Sequence, residues 1–226
     1  MNVTNLCDLA ARGNLSALKA LASQGTCAWN ECVCGAAAEG GSLEVLKWLR
    51  NPRKFSLQAS EPCPWDEGTC SAAAFKGHLE ILKWARLVAN PPCPWNEGAC
   101  MYAAVGGHLH ILKWLRDPST HGADGLCPWD EWTCAWAAKA GQLKILEWLR
   151  NPVGSVDDNK PCPWDEWACL VAAENGQLET LKWLRGASIH AVRGNQLCPW
   201  NRAKCLEAAQ ALGHLETAAW IASQPD

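Results

Sequence analysis

Several residue types are scarce in this chain of 226 residues, which holds two methionines, two phenylalanines and one tyrosine. Aromatic bulk therefore rests on its fifteen tryptophans. No run of Lys and Arg forms a basic block, and the formal net charge of −3 is spread along the chain. It thus lacks the electrostatic footprint of a nucleic-acid binder and any strong attraction to an anionic membrane surface. Residues 1–25 contain no continuous apolar stretch, so no signal peptide is expected, and no later stretch is long enough to span a bilayer. An intracellular setting follows as the expectation: cytoplasm or nucleus, of a host cell if the chain is viral. Reduced thiols follow with it, and the triplets at Asn2 and Asn14 are then not glycosylation sites. No unique cluster of acid, base and nucleophile stands apart from the repeated elements, which argues against an enzyme and a small-molecule substrate. No cofactor or metal is expected.

What is abundant is repetition. CPWDEGTCSAAAFKGHLEILKWAR begins at Cys63, CPWNEGACMYAAVGGHLHILKWLR at Cys93, CPWDEWTCAWAAKAGQLKILEWLR at Cys127 and CPWDEWACLVAAENGQLETLKWLR at Cys162. Weaker copies start at Cys27 and Cys198, and a half-copy opens at Asn5. Gly13, Gly41, Gly77, Gly107, Gly141, Gly176 and Gly213 each stand two before a leucine. Their mean spacing is about 33 residues, the period of a stacked helical repeat.

Each copy reads as two helices. Asn30, Asp66, Asn96, Asp130, Asp165 and Asn201 follow the tryptophan, and an alternation of Asp with Asn marks an N-cap, since both accept from first-turn N–H groups. In the fourth capped copy the first helix is predicted from about Asp130 to Ala140, ending at a glycine. The tryptophan before the cap and the cysteine four after it occupy staple positions, so Trp65 is expected on Cys70 and Trp129 on Cys134. The second helix carries Leu143, Ile145, Leu146, Trp148 and Leu149, apolar over more than half its circumference, as a helix sandwiched between neighbours requires. Lys47, Lys83, Lys113 and Lys182, with Arg50, Arg86, Arg116, Arg150 and Arg185, fall near its end and read as solvated cations matching the helix dipole. Asn51-Pro52, Asp117-Pro118 and Asn151-Pro152 then stop it. Gly35, Gly40 and Gly41 make the first helix of the copy at Cys27 the weakest. The copy at Cys198 has one extra residue between Cys205 and Gly213, which puts its first helix in doubt.

The recurring Ala-Ala-x-x-Gly-His-Leu-Glu followed by Leu-Lys-Trp-Leu-Arg resembles the second half of the ankyrin repeat, from about Asn5 to Ala222. The opening Asp-Glu-x-x-Cys departs from the family's usual Thr-Pro-Leu-His, and this CPWDE…C form is similar to arrays in algae, other protists and large DNA viruses. The resemblance implies an all-α solenoid of about seven stacked helix-turn-helix repeats, joined by loops or short hairpins. The expected organisation is one repeat domain over 1–226. A capping half-repeat covers about 2–25, repeats start near 27, 63, 93, 127 and 162, and a capping repeat covers 198–222. The connectors at 51–62, 87–92, 117–126, 151–161 and 186–197 are rich in Pro, Gly, Asn and Ser, with no good strand alternation.

Comparing the copies separates fixed positions from free ones. Cys134, Ala137 and Ala138 are fixed and should face inward. Positions two, six, nine and ten after the cap vary and share one stripe. They supply Phe75 and Lys76, Tyr102 and Val105, Trp132, Trp136 and Lys139, then Trp167, Val171, Glu174 and Asn175. Tryptophan and tyrosine are favoured interface anchors, and the resemblance implies partner binding on this inner face and the adjoining loops. The expected function is a non-catalytic, monomeric scaffold for an unknown protein partner. A competing reading makes Trp132 and Trp167 extra packing at the edge of the stack. His78, His108 and His214 share their slot with Gln142 and Gln177, which suits a hydrogen-bonding helix junction better than a ligand or a general base.

The fourteen cysteines leave alternatives open. Cys27/Cys34, Cys63/Cys70, Cys93/Cys100, Cys127/Cys134, Cys162/Cys169 and Cys198/Cys205 stand seven apart. Plain packing, a disulfide inside each repeat and a metal site all fit the count, although Cys-x6-Cys matches zinc ligand spacing poorly.

Overall fold

A computed structural model of the protein describes residues 3–24, 29–51, 62–121, 125–151, 161–186 and 197–225. Fifteen α-helices and no strand occur among them. They are α1 Val3–Ala11, α2 Leu15–Ser23, α3 Glu31–Glu39, α4 Leu43–Arg50, α5 Glu67–Lys76, α6 Leu79–Lys83, α7 Glu97–Val105 and α8 Leu109–Leu115. There follow α9 Pro118–His121, α10 Glu131–Lys139, α11 Leu143–Arg150, α12 Glu166–Glu174, α13 Leu178–Arg185, α14 Arg202–Ala211 and α15 Leu215–Ser223. The chain divides into two compact units, Met1–Ala99 and Cys100–Asp226. In the first, α1, α3 and α5 pack side by side, and α2, α4 and α6 each lie against the first helix of their own pair. In the second, α10, α12 and α14 form the same layer, backed by α11, α13 and α15. The hairpin expectation for the connectors falls largely outside the described residues.

Capping works as predicted in position and only in part in chemistry. Asn30, Asp66, Asp130 and Asp165 all hold extended backbone at the helix start. The Trp167 N–H donates to Asp165 Oδ1 at 3.1 Å, the Gly98 N–H to Asn96 Oδ1 at 3.0 Å and the Lys204 N–H to Asn201 Oδ1 at 3.1 Å. Asn30, Asp66 and Asp130 make no such side-chain cap bond. The extended turn, which carries the chain off the preceding helix pair, is common to all of them. The doubtful helix of the copy at Cys198 forms, and the extra residue is taken up at its C-terminal end as Ala211.

The small fixed residues allow the first helices to approach. Cys134, Ala137 and Ala138 are fully buried, as are Cys169, Ala172 and Ala173. At each helix junction the glycine turns left-handed, with φ +74 at Gly41 and +68 at Gly141, which L side chains rarely adopt. The slot above it takes the His or Gln of the next pair. His78 Nε2 lies 3.1 Å from Glu39 O, Gln177 Nε2 donates to Lys139 O at 3.2 Å, and His214 Nε2 lies 2.9 Å from Glu174 O. The two residue types exchange because each presents one polar nitrogen to the same carbonyl.

Cys-Pro-Trp is the joint between pairs. The Cys63 N–H donates to Leu49 O at 2.9 Å, its thiol donates to Asn30 O at 3.2 Å, and Arg50 donates to its carbonyl. Cys162 repeats all three bonds with Leu149, Asp130 and Arg150. The guanidinium then covers the following tryptophan: Arg50 sits 4.1 Å from the Trp65 ring, Arg86 4.0 Å from Trp95, Arg116 4.0 Å from Trp129 and Arg150 3.9 Å from Trp164. That ring meets the second-helix tryptophan of its own pair edge-on, with centroids 5.9 Å apart for Trp65–Trp84 and 6.0 Å for Trp129–Trp148.

One expectation is corrected here. The arginines are not solvated helix-end charges: Arg116 is 4% exposed and donates to Cys127 O at 2.8 Å. Only the lysines behave that way, Lys47, Lys83 and Lys182 pairing with Glu44, Glu80 and Glu179 one turn back on exposed faces. The Trp65 ring has two partners across the helix pairs. They are Trp84 and Arg50, while Cys70 turns towards Cys93. The tryptophan before the cap thus bridges the second helix of its own pair and the arginine of the preceding one.

The connectors depart from the pattern in two places. Asp117-Pro118 stops α8 but also opens α9, with the Ser119 N–H donating to Asp117 Oδ1 at 2.9 Å. After α6 the backbone widens into a π turn over Trp84–Val88, which leaves Leu87 and Val88 exposed. Ala85 stands there where other copies carry Leu49, Leu115, Leu149 or Leu184.

Two buried hydroxyls weaken the first-helix layers, Thr69 in the first unit and Thr133 in the second. Thr133 is fully buried and its hydroxyl has no hydrogen-bond partner, while Val33 is equally buried at the matching position of α3. Thr133→Val is expected to raise stability by about 1 kcal/mol, the cost of an unpaired buried hydroxyl. Urea denaturation of both proteins checks it, and an unchanged or lower midpoint would refute the assignment.

Candidate functional site

Six of the free positions come together in the second unit. Trp132, Trp136 and Lys139 project from α10 at helical spacing, and Trp167, Val171 and Glu174 from the adjacent α12. With Ala135 they line an open cleft of about 100 Å³. The Trp132 and Trp167 rings lie 5.8 Å apart at 35°. They remain 41% and 44% exposed, so neither is core. Lys139 Nζ rests 4.3 Å from the Trp136 centroid, holding that ring in place. The floor is apolar, and Lys139 and Glu174 give the rim one charge of each sign. This arrangement suits burial of an apolar side chain with polar contacts at its edge.

The other predicted residues lie apart from the cleft lining. Tyr102 is 40% exposed on α7, whose last residue, Val105, is half-buried. Asn175 caps α12, its amide donating to Val171 O at 2.8 Å. Phe75 and Lys76 belong to the first unit, where Lys76 stands over the Phe75 ring at 4.9 Å and pairs with Glu39 at 3.3 Å. Ala135, which the copy comparison did not single out, is the small residue that lets the cleft floor form.

A wider hollow of about 670 Å³ in the first unit is lined by residues that include Lys47, Arg50, Trp84 and Val88. Its cations already have partners, Lys47 in Glu44 and Arg50 in the Cys63 carbonyl.

The cysteines pair across joints, not within repeats. Cys34 Sγ lies 3.8 Å from Cys63 O while Cys63 Sγ lies 3.2 Å from Asn30 O, the cap of the helix that carries Cys34. Cys134 and Cys162 repeat this at 3.9 and 3.2 Å. Cys100 reaches Cys127 O at 3.9 Å, and Cys93 and Cys198 reach the caps below Cys70 and Cys169 at 3.3 Å each. All ten are free thiols and buried. Contact with Cys63 first, then burial, holds the Cys34 thiol well above the ordinary thiol range. Cys93 and Cys169 are raised likewise by Cys70 and Cys198, and Cys162 by burial first and Cys134 second. Cys205, after which no cysteine follows in the sequence, is pushed up to about 11 by burial.

Among the described residues no helix is long and apolar enough to cross a membrane. Comparison with protein-family models and with curated proteins finds no match.

Proposed function

We propose that this chain is an ankyrin-like repeat scaffold without catalytic activity, monomeric and intracellular, which binds a protein partner through the α10–α12 face. The observation that supports this most directly is the pair Trp132 and Trp167, large rings kept nearly half in water beside a cleft of side-chain size. They occupy positions that vary between copies while the joint residues stay fixed. A scaffold keeps its framework constant and varies the surface that recognises. The anchors are Trp132, Trp136, Trp167 and Val171, with Lys139 and Glu174 setting the polar rim.

Trp132→Ala combined with Trp136→Ala is expected to leave the helical circular dichroism nearly intact. It should weaken a captured partner by about 2 kcal/mol per anchor, roughly thirty-fold each. The measurement compares wild-type and double-variant baits quantitatively, with cross-links to the partner mapped on both. An unfolded variant would make these rings structural. A partner held equally by both proteins would place the binding surface elsewhere.

A further inference from the structure

Every joint described in full between helix pairs brings two cysteines together, thiol to thiol at four of them and the Cys100 thiol onto the Cys127 carbonyl at the fifth. One stands four residues into a first helix, and the other is the cysteine of the next Cys-Pro-Trp. In the first unit these are Cys34 with Cys63 and Cys70 with Cys93, and in the second Cys100 with Cys127, Cys134 with Cys162 and Cys169 with Cys198. The contact is reciprocal where both halves are seen, since each sulfur lies against backbone that belongs to the other's anchor. The pairing inside a repeat has the opposite geometry. Cys63 points to the preceding pair at Asn30, and Cys70 faces the following pair at Cys93.

We propose that these joints are modification sites at which a low-molecular-weight disulfide, such as oxidised glutathione, converts each thiol pair into a disulfide between neighbouring repeats. The thiolate of one cysteine attacks a sulfur of the small disulfide, and half of that molecule leaves as a thiol. The neighbouring cysteine, once deprotonated, attacks the protein sulfur of the mixed disulfide and releases the other half. Two protein thiols lose two electrons and two protons, and the small disulfide gains them as two thiols. The new bonds tie each repeat to the next, so the openings that expose a joint are suppressed.

Burial sets the rate. Exchange waits for a joint to open and for a thiol to ionise, and the raised thiols make the second step unfavourable near neutrality. The reaction is therefore slow at pH 7 and faster at pH 9.

The test treats the reduced full chain with oxidised glutathione at both pH values, quenches with an alkylating agent and maps unreduced peptides. Links Cys34–Cys63, Cys70–Cys93, Cys100–Cys127, Cys134–Cys162 and Cys169–Cys198 are expected, each lowering the mass by about two daltons. The linked chain should unfold at higher denaturant than the reduced one. Cys134→Ser is expected to lose only the link to Cys162, and the wild-type map stands without it. Links inside repeats, such as Cys63–Cys70, would overturn the proposal. So would full alkylation of the ten joint thiols in a sample where Cys32, which is exposed, has already reacted.

Discussion

Gly40→Ala should detach the first helix pair. A Cβ built on Gly40 meets the Ala11 carbonyl oxygen at 1.9 Å, its carbon at 2.5 Å and its Cα at 2.6 Å. All three are main-chain atoms, so no rotamer change relieves the clash. Gly40 has φ −77, an ordinary helical value, so the cost is not conformational. The matching positions in the other capped copies carry Lys76, Gly106, Ala140, Asn175 and Leu212, so four of those five do without glycine, and at Gly40 the clash comes from the end of α1. The expected loss is about 3 kcal/mol, the upper end for overpacking. It should appear in hydrogen exchange as lost protection in α1 and α2, with α10 to α13 unaffected. Gly35→Ala is the control: nothing lies within 4 Å of its Cβ, and it should gain about 1 kcal/mol from helix propensity. Similar midpoints for Gly40→Ala and wild type would mean that α1 can move aside without cost.

That contrast shows where the sequence stops being legible. Gly35, Gly40 and Gly41 all read as weaknesses in one helix. Only Gly35 is that. Gly40 makes room for α1, and Gly41 combines φ +74 with a close approach by His78, whose ring would lie 2.7 Å from a Cβ. Neither neighbour is local, so no reading of the helix itself finds them. The cysteines fail for the same reason. A spacing of seven is conspicuous in the chain, whereas Cys34 meets Cys63 from 29 residues away and Cys134 meets Cys162 from 28. What repeats locally was readable. The caps, the inward Cys and Ala-Ala and the glycine ends follow from one copy's own chemistry, and the His-for-Gln exchange from setting the copies side by side. The stripe of free positions was also readable, because helical spacing alone puts Trp132, Trp136 and Lys139 on one side. Which of those residues close into a cleft depends on how α10 and α12 approach, and so Tyr102 and Asn175 lie outside its lining.

Arg116 gives the test of the joint itself. Its guanidinium donates to the Cys127 carbonyl at 2.8 Å, lies 4.0 Å from the Trp129 ring and is almost wholly buried. Arg116→Ala removes the guanidinium donor from that carbonyl, at about 1–3 kcal/mol. It also removes a desolvated cation–π contact worth up to about 2 kcal/mol. Since truncation costs overlap, the expected total is about 3 kcal/mol. Arg116→Lys should recover less than half of this. An ammonium is a compact point charge, whereas the planar fork both stacks on the ring and reaches the carbonyl. Lys113, exposed one turn earlier on the same helix, supplies the comparison, and its replacement by Ala should stay within about 0.5 kcal/mol. Denaturation of the three variants gives the ranking. Exchange at the Cys127 N–H, which donates to Leu115 O at 3.1 Å, places the damage at the joint. If Arg116→Ala were as mild as Lys113→Ala, the guanidinium would be the solvated helix-end charge that its place in the sequence suggests, and Cys-Pro-Trp would hold the repeats together without it.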